Sequence, residues 1–238
     1  MNQDEFYRMI DEAEGRRSSL AFPALMRKVY TWMALALAIT GITSFGVATS
    51  PNILQLIFGN QLVFFGLCIA EVVMVIMLSA RLHKMSLTTA TLMFVLYSVL
   101  NGVTMASIFL LYTMSSIATT FFICSGTFAA MAFFGYTTKR DLSTMGRIAF
   151  MALIGLIIAT VVNIFVKSSG FGLILSYLGV LIFVGLTAWD TQKIKMMLNS
   201  VDFADEGAQK LALIGSLTLY LDFINMFIHM LRIFGSRE

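Results

Sequence analysis

The sequence predicts an all-α polytopic membrane protein, built as a bundle of seven transmembrane helices. Hydrophobic residues make up 58% of the 238 residues and charged residues only 12%, and the mean hydropathy is +0.86. Soluble domains carry about 25% charged residues. Apolar windows of the ~20 residues needed to cross hydrocarbon recur along the chain. A β-barrel would need short alternating segments instead.

The apolar windows occupy most of the chain and leave no room for a separate soluble domain. Arg27 and Lys28 precede the first window as anchors, Glu71 lies in the second, and Asp190 and Asp222 lie in the last two. In chain order, the predicted spans are Val29–Ala48, Leu62–Ala80, Leu87–Leu111, Ile117–Tyr136, Ile148–Val166, Phe171–Thr191 and Leu211–Phe234. We therefore predict a cytosolic N-terminal segment, residues 1–28, and a transmembrane domain, residues 29–238.

Short links separate the predicted spans. The longest, Asn199–Lys210, carries three acidic residues and reads as a solvated loop. Pro23 and Pro51 lie outside every predicted span, so no predicted helix is broken by proline. Cys68 and Cys124 lie in different spans without a partner motif, and they imply neither a disulfide nor a metal framework. We find no cofactor fingerprint, so no cofactor is expected.

The basic residues predict the orientation in the membrane. With a cytoplasmic N-terminus, thirteen of the sixteen Lys and Arg fall in inner segments, and the outer segments hold only Lys167, Arg232 and Arg237. This bias follows the positive-inside rule and places the C-terminus outside if the last span crosses. A last span folded as a hairpin would return the C-terminus to the cytoplasm, and we favour crossing. The scattered basic residues do not predict nucleic-acid binding.

The last predicted span carries a polar stripe. Steps of 4, 3, 4 and 3 residues place one set of polar side chains on a single helical face, namely Thr218, Asp222, Asn225, His229 and Arg232. Such a stripe must face protein or water inside a membrane. The last helix is therefore predicted to be central. Asn225 and His229 are candidates for lining a pathway or relaying protons, although a lone histidine is more often structural.

Asp190 and Asp222 are the first candidates for function, because a charged side chain in hydrocarbon costs about 2.5–3.5 kcal/mol or more and usually faces a bundle interior. Asp190 lies ~12 Å from a helix end at Leu198, and Asp222 lies ~18 Å from a helix start near Lys210. Both helix ends are cytoplasmic, so the carboxyl groups are expected to meet. Two carboxylates in contact share a proton and titrate in coupled steps.

Two other charged residues have open interpretations. Arg81, at the inner end of the second span, is either a compensating charge for the aspartates or a snorkelling anchor. Glu71, about 15 Å deeper in the same span, is either an outer relay or a buried protonated acid.

Three segments of this sequence together resemble the Bax inhibitor-1 family, also called transmembrane Bax inhibitor motif proteins, in its bacterial branch. The first contains Asn101-Gly102, Thr119-Thr120-Phe121-Phe122 and Gly135-Tyr136-Thr137-Thr138-Lys139-Arg140-Asp141-Leu142. The second is Phe183-Val184-Gly185-Leu186-Thr187-Ala188-Trp189-Asp190-Thr191-Gln192, and the third is Leu219-Tyr220-Leu221-Asp222-Phe223-Ile224-Asn225-Met226-Phe227. The order and spacing of the segments carry the resemblance, which covers about residues 27–234.

The resemblance implies a bacterial inner-membrane protein that acts as a pH-dependent calcium leak. It implies that Asp190 and Asp222 form the paired-aspartate pH sensor and gate, and that Arg81 is the arginine that latches the closed form. Calcium would then be a transported ion, held only transiently at Asp190 and Asp222, and the lipid bilayer a partner.

Two other function classes are open at this point. A non-conducting regulatory protein that binds partner membrane proteins is the main alternative. An intramembrane aspartyl protease also uses aspartates on its sixth and seventh helices, but the Gly-x-Gly-Asp motif that such enzymes share is replaced by Leu219-Tyr220-Leu221 before Asp222. We therefore expect a protein that is not an enzyme.

Overall fold

The computed structural model describes residues 3–201 and 204–236, which are almost entirely helical. The α-helices are α1 (Gln3–Ala48), α2 (Pro51–Phe58), α3 (Gln61–Arg81), α4 (Leu87–Met105), α5 (Ile108–Leu111), α6 (Met114–Thr137), α7 (Ser143–Val166), α8 (Ser169–Asn199) and α9 (Glu206–Phe234). Seven segments in this part of the chain are long and apolar enough to cross a membrane, with α8 and α9 as the sixth and seventh. The predicted fold class is confirmed.

The C-terminal helix α9 is the centre of the bundle. It contacts α1, α4, α6 and α8. In its most apolar stretch 67% of the residues are buried, against 6% in α3 and in α7. Small residues at four-residue spacing, such as Ala208, Ala212 and Ser216, let neighbouring backbones approach closely. The central position that the polar stripe predicts is therefore confirmed.

The two ends of α9 lie at opposite ends of the bundle. At its start, the Leu87 amide donates to the Glu206 carboxylate at 3.1 Å. At its end, the Ser236 amide donates to the Ser116 hydroxyl at 3.0 Å, beside the start of α6. Because α9 is one unbroken helix between these contacts, it crosses the bundle and is not a hairpin. Which end faces the cytoplasm stays a prediction, and Arg237 lies outside the described residues.

Two features differ from the expected helices. Pro23 lies inside α1 and not ahead of the first span, because the apolar stretch of that helix begins at Ala21. The helix tolerates the lost amide donor because Leu25, Met26 and Val29 just beyond the proline are buried in the core. Since α1 continues through residue 28, the expected end of the cytosolic segment at that residue stays a prediction.

The third span is also not one continuous helix. Its bounds, Leu87–Leu111, are those that the sequence predicted, but within them α4 ends at Met105 and α5 begins at Ile108. The Ala106 amide donates to the carbonyl of Val103, three residues earlier, at 3.4 Å, and the Ser107 hydroxyl donates to the Thr104 carbonyl at 3.1 Å. These short-range bonds replace the α-helical pattern and interrupt the helix.

Candidate functional site

Asp190 and Asp222 meet where α8 packs against α9. Their side chains are close enough to hydrogen-bond each other, and they are only 8% and 5% exposed. One carboxylate oxygen of Asp222 has no hydrogen-bond partner among the described residues. The structure therefore brings together the two acids that the sequence predicted to meet. It places them in the core of the bundle, away from the lipid-facing surface.

Two glycines on neighbouring helices hold the segment before Asp190 in place. A side chain at Gly135 of α6 would overlap the backbone of Ala188, and one at Gly146 of α7 would overlap the ring of Trp189. Only glycine therefore allows α6 and α7 to approach α8 this closely. These contacts fix the rotation of α8 about its axis and so the direction of the Asp190 carboxylate.

The Gln192 side chain joins α8 to the loop between α6 and α7 by two hydrogen bonds. Its side-chain carbonyl accepts from the Leu142 amide at 2.9 Å, and its side-chain amide donates to the Arg140 carbonyl at 2.8 Å. Both loop residues belong to the first resembling segment, and Gln192 ends the second. The sequence contains these residues but does not show this contact, because fifty residues separate Leu142 from Gln192.

Replacing Gln192 by Ala is expected to lower the free energy of unfolding by about 1–3 kcal/mol, because the buried Leu142 amide loses its acceptor. The thermal midpoint of the purified protein in detergent would measure this loss. Gln209→Ala is the control, because the Gln209 side chain bonds Lys28 at an exposed site, and it should change stability by no more than about 0.5 kcal/mol. Equal losses of stability in both variants would contradict the proposed contribution of the Gln192 hydrogen bonds.

The basic residue beside Asp190 is Lys193, which sequence reasoning missed. Lys193 follows Asp190 by three residues on α8, and its charge acts on that carboxylate. Its ammonium group also lies 5.1 Å from the ring centroid of Trp189. The signal in the sequence was the three-residue spacing, which places both side chains on one side of a helix.

Arg81 is not brought to the aspartates in this conformation. It is exposed at the end of α3, and no ion pair joins it to either acid in the described part of the chain. The 3₁₀ turn that follows it, Leu82–Lys84, does contact α9, and Leu82 is fully buried there. Arg81 is thus adjacent to a contact with the central helix while its own charge faces outward.

Glu71 belongs to a second polar network, on another part of α9. The Thr104 hydroxyl donates to the half-buried Glu71 carboxylate at 2.5 Å, and it also lies 3.0 Å from the backbone carbonyl of Asn101. The Asn101 side-chain carbonyl accepts from the Tyr220 hydroxyl at 3.0 Å, and that hydroxyl bonds the Thr40 hydroxyl at 2.7 Å. The third acid is thus linked to α9 two residues before Asp222. Whether it relays protons stays a prediction.

Asn225 and His229 follow Asp222 along the polar stripe of α9. Both line a cleft of about 280 Å³ between α7, α8 and α9. The His229 ring lies on Phe183, with centroids 5.9 Å apart, and fills the space that a side chain at Gly179 would take. The Asn225 amide donates to the Leu221 carbonyl at 2.8 Å, which leaves its side-chain oxygen available.

Comparison with known proteins agrees with this arrangement. Residues 23–238 match the family model described as inhibitor of apoptosis-promoting Bax1. The chain belongs to the Bax inhibitor-1 family. It is 47% identical to the inner membrane protein YbhL of Escherichia coli K12 over 90% of this chain and 92% of that protein. It is 41% identical to a protein of Borreliella burgdorferi over 97% of this chain and 99% of its relative.

Membership of the Bax inhibitor-1 family and the seven apolar helices make the chain a multi-pass membrane protein of the inner membrane. Neither the name of the family nor that of YbhL denotes an enzyme. The family model covers all three segments that carry the resemblance. Asp190, Asp222 and Gln192 all lie inside the matched residues.

Proposed function

We propose that this protein is a pH-sensitive calcium leak channel or transporter, and that Asp190 and Asp222 form its sensor and gate. The observation that supports this most is the contact between the two buried carboxyl groups at the α8–α9 interface. Intramembrane acids that face a bundle interior are typical of ion and proton pathways. Membership of the Bax inhibitor-1 family agrees with a membrane role.

The proton content of the pair sets the charge at the contact between α8 and α9. Two carboxylates in contact cannot both ionise cheaply in a poorly hydrated site, so they titrate as a coupled pair. Lys193 offsets part of that charge. Since α9 also packs on α1, α4 and α6, a change in its position relative to α8 would reach most of the bundle. A shift in proton occupancy is therefore the proposed trigger for opening.

Calcium is the ion that the oxygen chemistry of the pair favours. Ca²⁺ takes about 6–8 oxygen ligands, including carboxylates and side-chain carbonyls. Asp190 and Asp222 provide four carboxylate oxygens. That set is short of a full shell, so water must complete it. Such a site suits transient binding during transport better than permanent retention.

Flux through purified protein in liposomes tests the proposal. Calcium entry should exceed that of protein-free liposomes, exceed potassium entry at equal gradient, and change with pH. If neither ion passes through folded, correctly inserted protein, the proposed transport is wrong. The non-conducting regulatory alternative, in which the protein binds other membrane proteins, would then be favoured.

We also propose that Arg81 latches a closed conformation in which α3 brings its charge toward the aspartates. The contact between the Leu82–Lys84 turn and α9 offers a route for that movement. Replacing Arg81 by Ala should raise resting calcium flux. Arg81→Lys should restore low resting flux only in part, because lysine lacks the planar guanidinium. Flux is measured with equal amounts of folded protein. Unchanged resting flux in the Ala variant would leave Arg81 as an interfacial anchor.

A further inference from the structure

A basic recess lies at the end of the bundle where α7 meets α8. It has a volume of about 600 Å³ and is lined by Lys167 and Arg232 together with neutral side chains, among them Asn163, Ser168 and Ser169. No acidic side chain lines it among the described residues. The recess therefore concentrates positive charge, which is unsuited to a cation and complementary to an anionic group.

The recess continues into the cleft that contains His229, because Arg232 lines both. The wall that α7 contributes to the cleft is apolar apart from Thr160 and includes Leu153, Ile157 and Val161. Ile157 and Val161 are 56% and 49% exposed, on a helix that crosses the membrane. The two cavities together form a groove that is basic at its mouth and apolar along its length, open to lipid.

A fixed polar side chain, His229, lies one helical turn from Arg232, inside the mouth of the groove. His229 is only 8% exposed, and its Nδ1 atom has no hydrogen-bond partner in the described residues. The ring is fixed from behind by Gly179 and Phe183. The ring is therefore a fixed part of the cleft wall beside Arg232.

We propose that this groove binds one anionic glycerophospholipid. The lipid phosphate would lie between the Arg232 guanidinium and the Lys167 ammonium, which are suited to a phosphate group. The ester region would lie one turn deeper, against the His229 ring. An acyl chain would follow Ile157 and Phe183 along the apolar wall. This order of basic mouth, polar ring and apolar wall matches the headgroup, ester and chain of the lipid.

Native mass spectrometry of the delipidated protein tests this, with phosphatidylglycerol and phosphatidylcholine of identical chains as probes. The wild type should bind one phosphatidylglycerol more tightly than one phosphatidylcholine. Lys167→Asn and Arg232→Gln should each weaken phosphatidylglycerol about fivefold, the effect of one surface charge. Asn suits position 167 because its φ of 54° is left-handed. The matched control, Lys139→Asn with Arg147→Gln, removes two exposed charges elsewhere and should leave this lipid bound.

A second variant separates a lipid from a soluble anion. Ile157→Trp fills the apolar part of the groove and leaves both charges in place, so it should weaken phosphatidylglycerol severalfold. Competition by millimolar inorganic phosphate or glycerol phosphate should be weak. Strong competition by these anions would overturn the lipid assignment in favour of a soluble anion. Equal binding of the two lipids, or an equal loss in the control, would also overturn it.

Discussion

Replacing either Asp190 or Asp222 by Asn is expected to flatten the pH dependence of calcium flux between about pH 6 and 8, where a coupled pair can titrate. Asn keeps the size of the side chain and removes the titrating proton. The remaining aspartate then has no second carboxylate beside it, so the coupled titration that sets the charge at the α8–α9 contact is lost. Flux across liposomes at a series of pH values, with equal amounts of folded protein, measures the effect.

Asp141→Asn is the matched control for these two variants. Asp141 is exposed in the loop before α7, and its carboxylate accepts from the Ser143 amide at 2.9 Å. Hydrogen bonds from Ser143 lower the pKa of Asp141, so it stays ionised throughout this pH range. The control should keep the wild-type pH response. If both dyad variants also keep that response, the pair is structural packing and not a sensor.

Replacing Gly135 by Ala is expected to cause the largest loss of stability. The added methyl group would overlap the backbone of Ala188, and a backbone atom cannot rotate away as a side chain can. Overpacking of this kind costs about 1–3 kcal/mol, and occasionally more. The α6–α8 contact that positions Asp190 would have to open. The thermal midpoint and the yield of monodisperse protein in detergent measure the loss.

Gly126→Ala on the same helix is the control for that variant. Apart from its chain neighbours and its own helix backbone, no atom of the described residues lies within 4 Å of a methyl group placed at Gly126. This change should therefore leave the thermal midpoint unchanged or raise it slightly, since Ala favours helix over Gly. An equal loss of stability in both variants would show that α6 tolerates neither change, and that close packing on Ala188 is not the cause.

The sequence predicted the features that follow from helical geometry. The polar stripe of α9 required a central helix, and the positions of Asp190 and Asp222 measured from their helix ends allowed the two to meet. Both are observed. The role of Gln192 could not be predicted in the same way, because it depends on how a loop between two other helices folds back. The glycine contacts of Ala188 and Trp189 likewise appear only in the packed bundle.

The sequence pattern also could not predict two local features of the backbone, the interruption between α4 and α5 and the proline inside α1. Hydropathy cannot distinguish one long helix from two consecutive helices such as α4 and α5. The residues between them, Ala106 and Ser107, are small enough in polarity to leave the apolar window intact. The predicted first span begins at Val29, because the apolar window follows Arg27 and Lys28, and this leaves Pro23 outside it. Proline usually ends or kinks a helix. Packing of the following residues against the core overrides that preference here.

The network from Glu71 to Tyr220 gives α9 a second polar contact. It joins α3 and α4 to the central helix, because Asn101 of α4 accepts from Tyr220 of α9, two residues before Asp222. A shift of α9 that accompanies a change in the aspartate pair would strain these bonds as well. The network is therefore positioned to transmit movement of α9 to the lipid-facing helix α3, where Arg81 is located.

Fluorine NMR of the protein labelled with 5-fluorotryptophan tests most directly whether the aspartate pair titrates and moves α8 against α9. The chain has two tryptophans. Trp189 is adjacent to Asp190 on α8, and Trp32 on α1 serves as an internal reference. The Trp189 resonance should shift between about pH 6 and 8 while the Trp32 resonance stays fixed, and Asp222→Asn should abolish the shift. A wild-type Trp189 resonance that does not respond to pH, or an unchanged response in Asp222→Asn, would contradict the proposed sensor.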